Sequence, residues 1–144
     1  MAEFLSDEWF DALAGELAVA GPFASPERLA LGQLVLGAPG GDVSYTLVLG
    51  GSEPSEVVRG TARAAVVLVE DYSTAAAITT GQPASELLAE GRVKIRGDIG
   101  ALLRTQDLLA AIAPTLAAVT ATTTYVDPDV EPAGKEPRWS PNTR

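Results

Sequence analysis

The sequence contains no cysteine and no histidine among its 144 residues. Without thiolate or imidazole ligands, the usual structural zinc sites, redox dithiols and haem ligated by histidine or cysteine are excluded. The same absence removes the thiolate nucleophile and the imidazole general base of many common catalytic schemes. The composition therefore predicts neither a metal site nor a cofactor.

Basic residues are also scarce, with 10 Lys and Arg against 19 Asp and Glu and a net charge of −9. Nucleic acids and anionic membrane surfaces are bound by clusters of Lys and Arg. We therefore expect no nucleic-acid partner, and partners that are neutral, cationic or apolar.

Long apolar runs are missing as well: no stretch reaches the roughly 18 uncharged apolar residues that a membrane helix needs. The first ten residues, MAEFLSDEWF, are acidic where a signal peptide would be basic. These two features predict a cytoplasmic protein without stable membrane insertion. Apolar residues nevertheless make up 47% of the chain, which indicates either a large core or apolar surface at a cavity or an interface.

The first predicted element is an amphipathic helix that begins at Ser6, whose hydroxyl can cap the free N–H groups. Trp9, Leu13 and Leu17 recur at intervals of four residues and form one apolar stripe. The apolar period then changes to two over residues 28–36, 43–49, 57–61 and 64–69, which predicts four strands. The simplest arrangement of four consecutive strands is an antiparallel meander.

The second half of the chain is mostly helical. Asp71 is placed to cap a helix that stops at Gly81, and Pro83 opens a short helix over residues 84–90. A fifth strand follows at residues 92–97. Asp98 caps a last helix over residues 99–119, in which Pro114 should produce a kink. Residues 120–144 are rich in Thr and Pro, so we expect a domain over residues 1–119 and a C-terminal tail.

The last helix is apolar around much of its circumference. Its large aliphatic residues occupy more than one stripe: Leu102, Leu103, Leu108, Leu109, Ile112, Leu116 and Val119. Such a helix needs cover on two sides. A homodimer interface or the C-terminal tail would provide the cover, and so would an apolar ligand in a tunnel between sheet and helices.

Several charged patterns have a structural explanation that is simpler than a functional one. Alternating Arg92, Lys94 and Arg96 could meet an anionic ligand, but such charges also protect an edge strand from unwanted pairing. Glu70 and Asp71 fit a helix start better than an acid–base pair.

Two further patterns lie near the C-terminus. Asp127, Asp129 and Glu131 imitate a calcium loop that lacks its glycine and its distal glutamate, so we predict no metal there. Trp139 is placed either to fold back onto the domain or to lie exposed.

Taken together, one set of motifs from residue 43 to residue 112 resembles the sterol carrier protein 2 family. In that family an acidic strand end leads to a helix closing on threonine-glycine, a proline-initiated helix, a strand of the form G-K-L-K-I-x-G and a glycine-containing final helix. The matching segments here are Glu70-Asp71, Thr80-Gly81, Gln82-Pro83, Gly91-Arg92-Val93-Lys94-Ile95-Arg96-Gly97 and Ile99-Gly100.

The resemblance implies an α+β fold, with a five-stranded, largely antiparallel sheet covered by helices and an apolar tunnel between them. It implies non-catalytic carriage of sterols, fatty acids or fatty acyl-CoA. By matching positions, the implied ligand-binding residues come from three helices, and Gln106 is the one polar member, able to anchor a ligand hydroxyl or carboxyl. They are Ala77, Ile78, Leu87, Leu88, Leu102, Leu103, Gln106 and Leu109.

Two further functions stay open from the residues. One is a homodimerising interaction or accessory module that uses the broad apolar helix and the tail. The other is an enzyme acting on an apolar substrate through Tyr45, Tyr72 or a buried carboxylate in place of the missing histidine. No constellation of residues supports the enzyme, so we expect a protein without catalytic residues.

Overall fold

The fold combines a five-stranded sheet with helices on one of its faces. The computed structural model describes residues 2–23 and 25–125 of the chain. The helices are α1 (Asp7–Ala20), α2 (Tyr72–Thr79), α3 (Ala84–Ala89), α4 (Ile99–Arg104) and α5 (Gln106–Thr120). The strands are β1 (Ala2–Glu3), β2 (Ser25–Leu36), β3 (Val43–Gly51), β4 (Glu56–Arg59), β5 (Val66–Asp71), β6 (Val93–Gly97) and β7 (Thr123–Thr124).

The strand order of the main sheet is β4-β3-β2-β5-β6, and only the β2–β5 pairing is parallel. The predicted α+β class with a largely antiparallel sheet is therefore confirmed. The predicted meander is wrong, because β5 does not pair with β4. Instead, residues 60–65 carry the chain across the sheet to the far side of β2. This crossing makes β2 the central strand and leaves β6 at an edge, as its alternating charges predicted.

Strand periodicity decides which side chains form the core. Leu29, Leu31 and Val35 of β2 face the helices and are at most 4% exposed. Register pairs Leu31 with Leu47 of β3 and with Val66 of β5, and both partners are buried. The helix-facing side of the sheet is thus a continuous apolar layer.

The crossing segment packs closely on the other face of the sheet. Thr46 is buried there, and its hydroxyl donates to the carbonyl oxygen of Gly60 at 2.7 Å. Gly32 has no room for a side chain, since an added Cβ would lie 2.8 Å from the Cβ of Ala64. The small size of Gly32 therefore allows the chain to cross at this point.

The predicted helix caps are confirmed. Side-chain oxygens of Ser6, Asp71 and Asp98 accept from backbone N–H groups at the starts of α1, α2 and α4, at 2.8 to 3.2 Å. These bonds satisfy N–H groups that have no partner within the helix. For Asp71, the hydrogen bonds with Thr74 hold the carboxyl pKa below its usual range.

The predicted last helix differs from the observed one. The sequence predicts a single helix over residues 99–119 with a kink at Pro114, but the chain forms two helices that meet at Thr105. The Thr105 hydroxyl donates to the carbonyl oxygen of Ala101 at 2.6 Å, and such a bond competes with regular helix geometry. The helix continues through Pro114.

The start of the expected C-terminal tail is packed against the domain. Thr123 and Thr124 pair in parallel with Ala2 and Glu3, and the Phe4 N–H donates to the carbonyl oxygen of Thr124 at 2.8 Å. Packing therefore continues beyond residue 119. The calcium-like acidic residues and Trp139 lie outside the described residues.

An aromatic cluster joins the N-terminal segment and Tyr125 to the sheet. The rings of Phe4 and Trp9 lie 5.0 Å apart, and Phe10 lies 5.2 Å from Tyr45 of β3. Phe4 also contacts Tyr125 at 5.1 Å. Among the described residues, no helix is long and apolar enough to cross a membrane.

Substitution of Gly97 tests the turn between β6 and α4. Gly97 has φ +97°, and an added Cβ would lie 2.6 Å from the carbonyl oxygen of Ala65. We expect Gly97→Ala to lower the free energy of unfolding by about 2 kcal/mol or more, measured by urea denaturation. Gly40→Ala is the control, because that site has open space around it and no positive φ. Equal stability of the two variants would contradict this account of the turn.

Candidate functional site

An apolar cleft of about 270 Å³ lies at the β5–β6 edge of the sheet. Helix α3 borders it on one side, and α4 with the first turn of α5 borders it on another. Its lining residues are Leu68, Ser85, Leu88, Val93, Ile95, Ile99, Leu102, Leu103, Gln106 and Leu109.

Local sequence explains how each element contributes to the cleft. Alternation in β6 turns Val93 and Ile95 toward the helices, while Lys94 and Arg96 are exposed. The Asp98 cap starts α4 directly after β6, and the break at Thr105 starts α5. Side chains of α4 and of the first turn of α5 therefore lie beside this edge of the sheet.

The cleft concentrates apolar side chains that are exposed to solvent. Among the described residues, the exposed large hydrophobics are Val19, Leu36, Leu88, Ile99 and Leu103. Three of these five line the cleft, where Leu88 is 42%, Ile99 47% and Leu103 62% exposed. Grouped apolar exposure of this kind marks binding surfaces more often than single exposed residues do.

In the described part of the chain, no charged side chain lines the cleft. Arg104 of α4 is paired instead with Glu27, whose carboxylate it contacts at 2.9 Å. The two polar members, Ser85 and Gln106, are both exposed. The cleft can therefore take up an apolar chain by burial of surface, with polar groups at its rim.

Five of the eight predicted ligand-binding residues meet at this cleft. They are Leu88, Leu102, Leu103, Gln106 and Leu109. Leu87, in contrast, is completely buried in the core, and Ala77 and Ile78 of α2 are half-buried and do not line the cleft. The cleft is also lined by Val93, Ile95 and Ile99, which were not among the predicted site residues, although the alternation in β6 is visible in the sequence.

A second pocket, of about 280 Å³, lies between the end of α2 and the second half of α5. It shares Ile78, Thr79 and Leu116 with a small inner cavity of about 50 Å³. The inner cavity is lined by Leu13, Gln33, Tyr45, Leu47, Glu70, Ala75, Ile78, Thr79 and Leu116.

Glu70 is the unusual residue of the inner cavity. It is only 4% exposed, and its Oε2 atom has no hydrogen-bond partner in the described part of the chain. Burial, together with the negative charge of Asp71, raises the pKa of Glu70 to about 8. Burial also raises the pKa of Tyr45, which the charge of Glu70 raises further. Both groups are therefore uncharged at neutral pH.

The sequence predicts that Glu70 belongs to the helix start together with Asp71. Asp71 caps α2 as expected, but Glu70 lies on the opposite face of β5 from Asp71, the face that Val66 and Leu68 turn toward the helices. The period of two along β5 was the available sequence signal, because it places the Glu70 carboxyl group on the apolar face of the strand.

Glu70→Gln tests the burial of this carboxyl group. The raised pKa means that the unfolded state ionises near pH 4.5 while the folded state stays protonated to about pH 8. Stability of the native protein should therefore fall with rising pH in this window. We expect the variant to be the more stable protein at pH 8, by on the order of a few kcal/mol, with the difference shrinking toward pH 4.5.

Urea denaturation at several pH values measures this difference. Glu53→Gln, in an exposed turn, is the matched control and should show no such trend. A difference between Glu70→Gln and the native protein that does not change with pH would contradict the assignment.

No family model and no curated protein matches this chain. Solved structures do match. One is a conserved hypothetical protein of Thermus thermophilus, suggested to be a sterol carrier protein, with TM-score 0.53, 23% identity and coverage of 83% of this chain and 89% of that chain.

A crystal structure of sterol carrier protein 2 matches with TM-score 0.51 and 19% identity, over 85% of this chain and 100% of that chain. A sterol carrier protein 2 of Aedes aegypti in complex with palmitate has a TM-score of 0.47 and 18% identity, over 78% of this chain and 94% of that chain. The sequence motifs agree with the likeness to the Thermus thermophilus protein and to the crystal structure of sterol carrier protein 2: the chain has the sterol carrier protein 2 fold.

Proposed function

We propose that the protein binds and carries apolar ligands without chemical change, using the cleft between β6, α3, α4 and α5. The supporting observation is the group of exposed Leu88, Ile99 and Leu103 around one apolar cleft. Burial of apolar area stabilises a complex by about 25 cal/mol per Å² before the costs of ordering are subtracted. Solvent-exposed leucine and isoleucine side chains are the groups that gain most from such burial.

The chemistry of the lining supports a lipid as the ligand. The cleft volume of about 270 Å³ is close to the roughly 300 Å³ at which pockets for drug-sized ligands begin. An alkyl chain or part of a sterol fits this size. The polar end of the ligand would lie at the rim, where Gln106 can donate to a hydroxyl or carboxyl oxygen and Ser85 is also available.

The fold gives the same proposal additional support. The structures of similar fold include a sterol carrier protein 2 and a protein suggested to be a sterol carrier. Fold alone does not decide function, so the proposal depends on the cleft. The continuous tunnel, the homodimer and the cytoplasmic location stay predictions.

The cleft offers little for catalysis. The tyrosines considered as catalytic groups, Tyr45 and Tyr72, are 6% and 2% exposed and do not line the cleft. Its polar groups are one amide and one hydroxyl, and neither is a general base at neutral pH. We therefore propose a carrier rather than an enzyme for this site.

Titration with a fluorescent fatty acid such as cis-parinaric acid tests the proposal. We expect saturable binding of one molecule per chain in the micromolar range, with competition by unlabelled fatty acids or sterols. Extraction of the bound molecule should return it unaltered. The proposal fails if no fatty acid, fatty alcohol or sterol binds up to its solubility limit, or if the bound lipid is converted.

Leu103→Asp tests the location of that binding. The change removes an exposed leucine from the lining and places a carboxylate there, so we expect at least a tenfold loss of affinity for the fatty-acid probe. Val19→Asp is the control, because Val19 is 83% exposed on α1 and does not line the cleft. Circular dichroism should show that both variants fold. Equal affinity of the two variants would exclude the cleft as the probe's site.

A further inference from the structure

The inner cavity combines apolar walls with an unpartnered polar atom. Leu13, Leu47 and Ala75 are among its apolar members, and Glu70 also lines it. Buried polar atoms in proteins are nearly always hydrogen-bonded, to protein or to bound water. The Oε2 atom of Glu70 has no such partner among residues 2–23 and 25–125, so Glu70 offers an unfilled hydrogen-bonding position at the cavity.

The size of the cavity limits what can occupy that position. Its volume is about 50 Å³, whereas one water molecule needs about 10–15 Å³ measured in this way. The cavity therefore has room for a small polar group, or for a few water molecules, but not for a lipid. A larger ligand must extend beyond it.

The surface pocket between α2 and α5 provides that extension. Ile78, Thr79 and Leu116 border both spaces, and each is only half-buried. Two hydrogen bonds join α2 to the chain around the end of α5: Thr120 donates to the carbonyl oxygen of Thr79 at 2.7 Å, and the hydroxyl groups of Thr79 and Tyr125 lie 2.9 Å apart. The pocket is thus held next to the cavity by fixed contacts.

The charges at the two spaces select among ligand head groups. Of the described residues that line the two spaces, none is Lys or Arg, and Glu70 is the single acidic one. A carboxylate or phosphate group in the cavity would be desolvated without a counter-ion, which is costly. An uncharged hydroxyl group can both donate and accept a hydrogen bond there.

We propose that the inner cavity and the α2–α5 pocket form a second binding site, for an aliphatic chain that ends in an uncharged hydroxyl group. The hydroxyl group bonds to the carboxyl group of Glu70, and the chain leaves past Ile78 and Leu116 into the surface pocket. This site shares no lining residue with the cleft. A test of this second site is therefore independent of a test of the carrier function proposed for the cleft.

The protonation state of Glu70 agrees with this proposal. With its pKa raised to about 8 by burial, the side chain is an uncharged acid at pH 7 and can donate to the ligand oxygen or accept from its hydroxyl. Tyr45 of β3 and Asp71, the neighbour of Glu70 on β5, are the ionisable groups that act on it or with it. Tyr45 remains protonated at this pH.

Calorimetric titration at pH 7 with 1-decanol and with decanoate tests the selectivity. We expect 1-decanol to bind with at least tenfold higher affinity than decanoate when the cleft has been altered by Leu103→Asp. Equal affinities, or no binding of 1-decanol to that variant, would overturn the proposal. Loss of all 1-decanol binding through Leu103→Asp would assign the alcohol to the cleft and support only the carrier function.

Two neighbouring exposed alanines of α5 test the location, again with 1-decanol and in the Leu103→Asp background. Ala117 lines the α2–α5 pocket and Ala118 does not. We expect Ala117→Trp to lower the affinity at least tenfold and Ala118→Trp to leave it within threefold. Both variants change the surface, so folding should be retained and is checked by circular dichroism. Equal effects of the two variants would overturn the assigned position.

Glu70 itself is tested with two substitutions of similar size in the same background. Glu70→Gln keeps an uncharged hydrogen-bonding group, so we expect 1-decanol affinity within threefold of the parent. Glu70→Met removes it, and we expect at least a tenfold loss. If Glu70→Met binds 1-decanol as well as the parent does, the hydroxyl group does not bond to Glu70 and the proposal is wrong.

Discussion

The pairing of β2 with a strand on each side is the constraint on which the rest of the structure depends. Its register with β3 and β5 puts Leu31, Leu47 and Val66 on one face. A slip of one residue would turn every one of these side chains to the other face. The same register pairs Glu70 with Val35, a buried core residue. One strand register therefore places both the apolar core and the buried carboxyl group.

Helices α4 and α5 convert this sheet into binding surfaces. Because the chain breaks at Thr105 instead of forming one long helix, Leu103 and Gln106 flank the cleft at one end of α5, while Leu116 borders the inner cavity near the other end. The broad apolar surface of this region is therefore divided between the core and two separate spaces. The sequence predicts one apolar helix that needs cover on two sides. The structure has two helices instead, and they pack against different neighbours.

Much of the fold could be predicted because its signals are local. The caps at Ser6, Asp71 and Asp98 depend on hydrogen bonds within one turn, and the charged edge of β6 follows from alternation alone. The predicted meander is wrong because strand order depends on where residues 60–65 cross the sheet, and local periodicity does not report that position. The small size of Gly32 allows the crossing beside Ala64. The break at Thr105 could not be separated from a helical pattern, since Pro114 was the stronger sequence signal.

The sequence by itself determined the five strands of the main sheet, the helix caps, the fold class and the absence of cysteine and histidine chemistry. Five of the eight predicted site residues lie at the cleft, because the resemblance placed them on the helices that border it. Only the tertiary structure decided that Leu87 is core, that Leu103 is exposed and that Glu70 is buried with an Oε2 atom that has no partner among the described residues. The exposure of a side chain and the pKa of a carboxyl group depend on neighbours from distant parts of the chain, and residue spacing does not identify those neighbours.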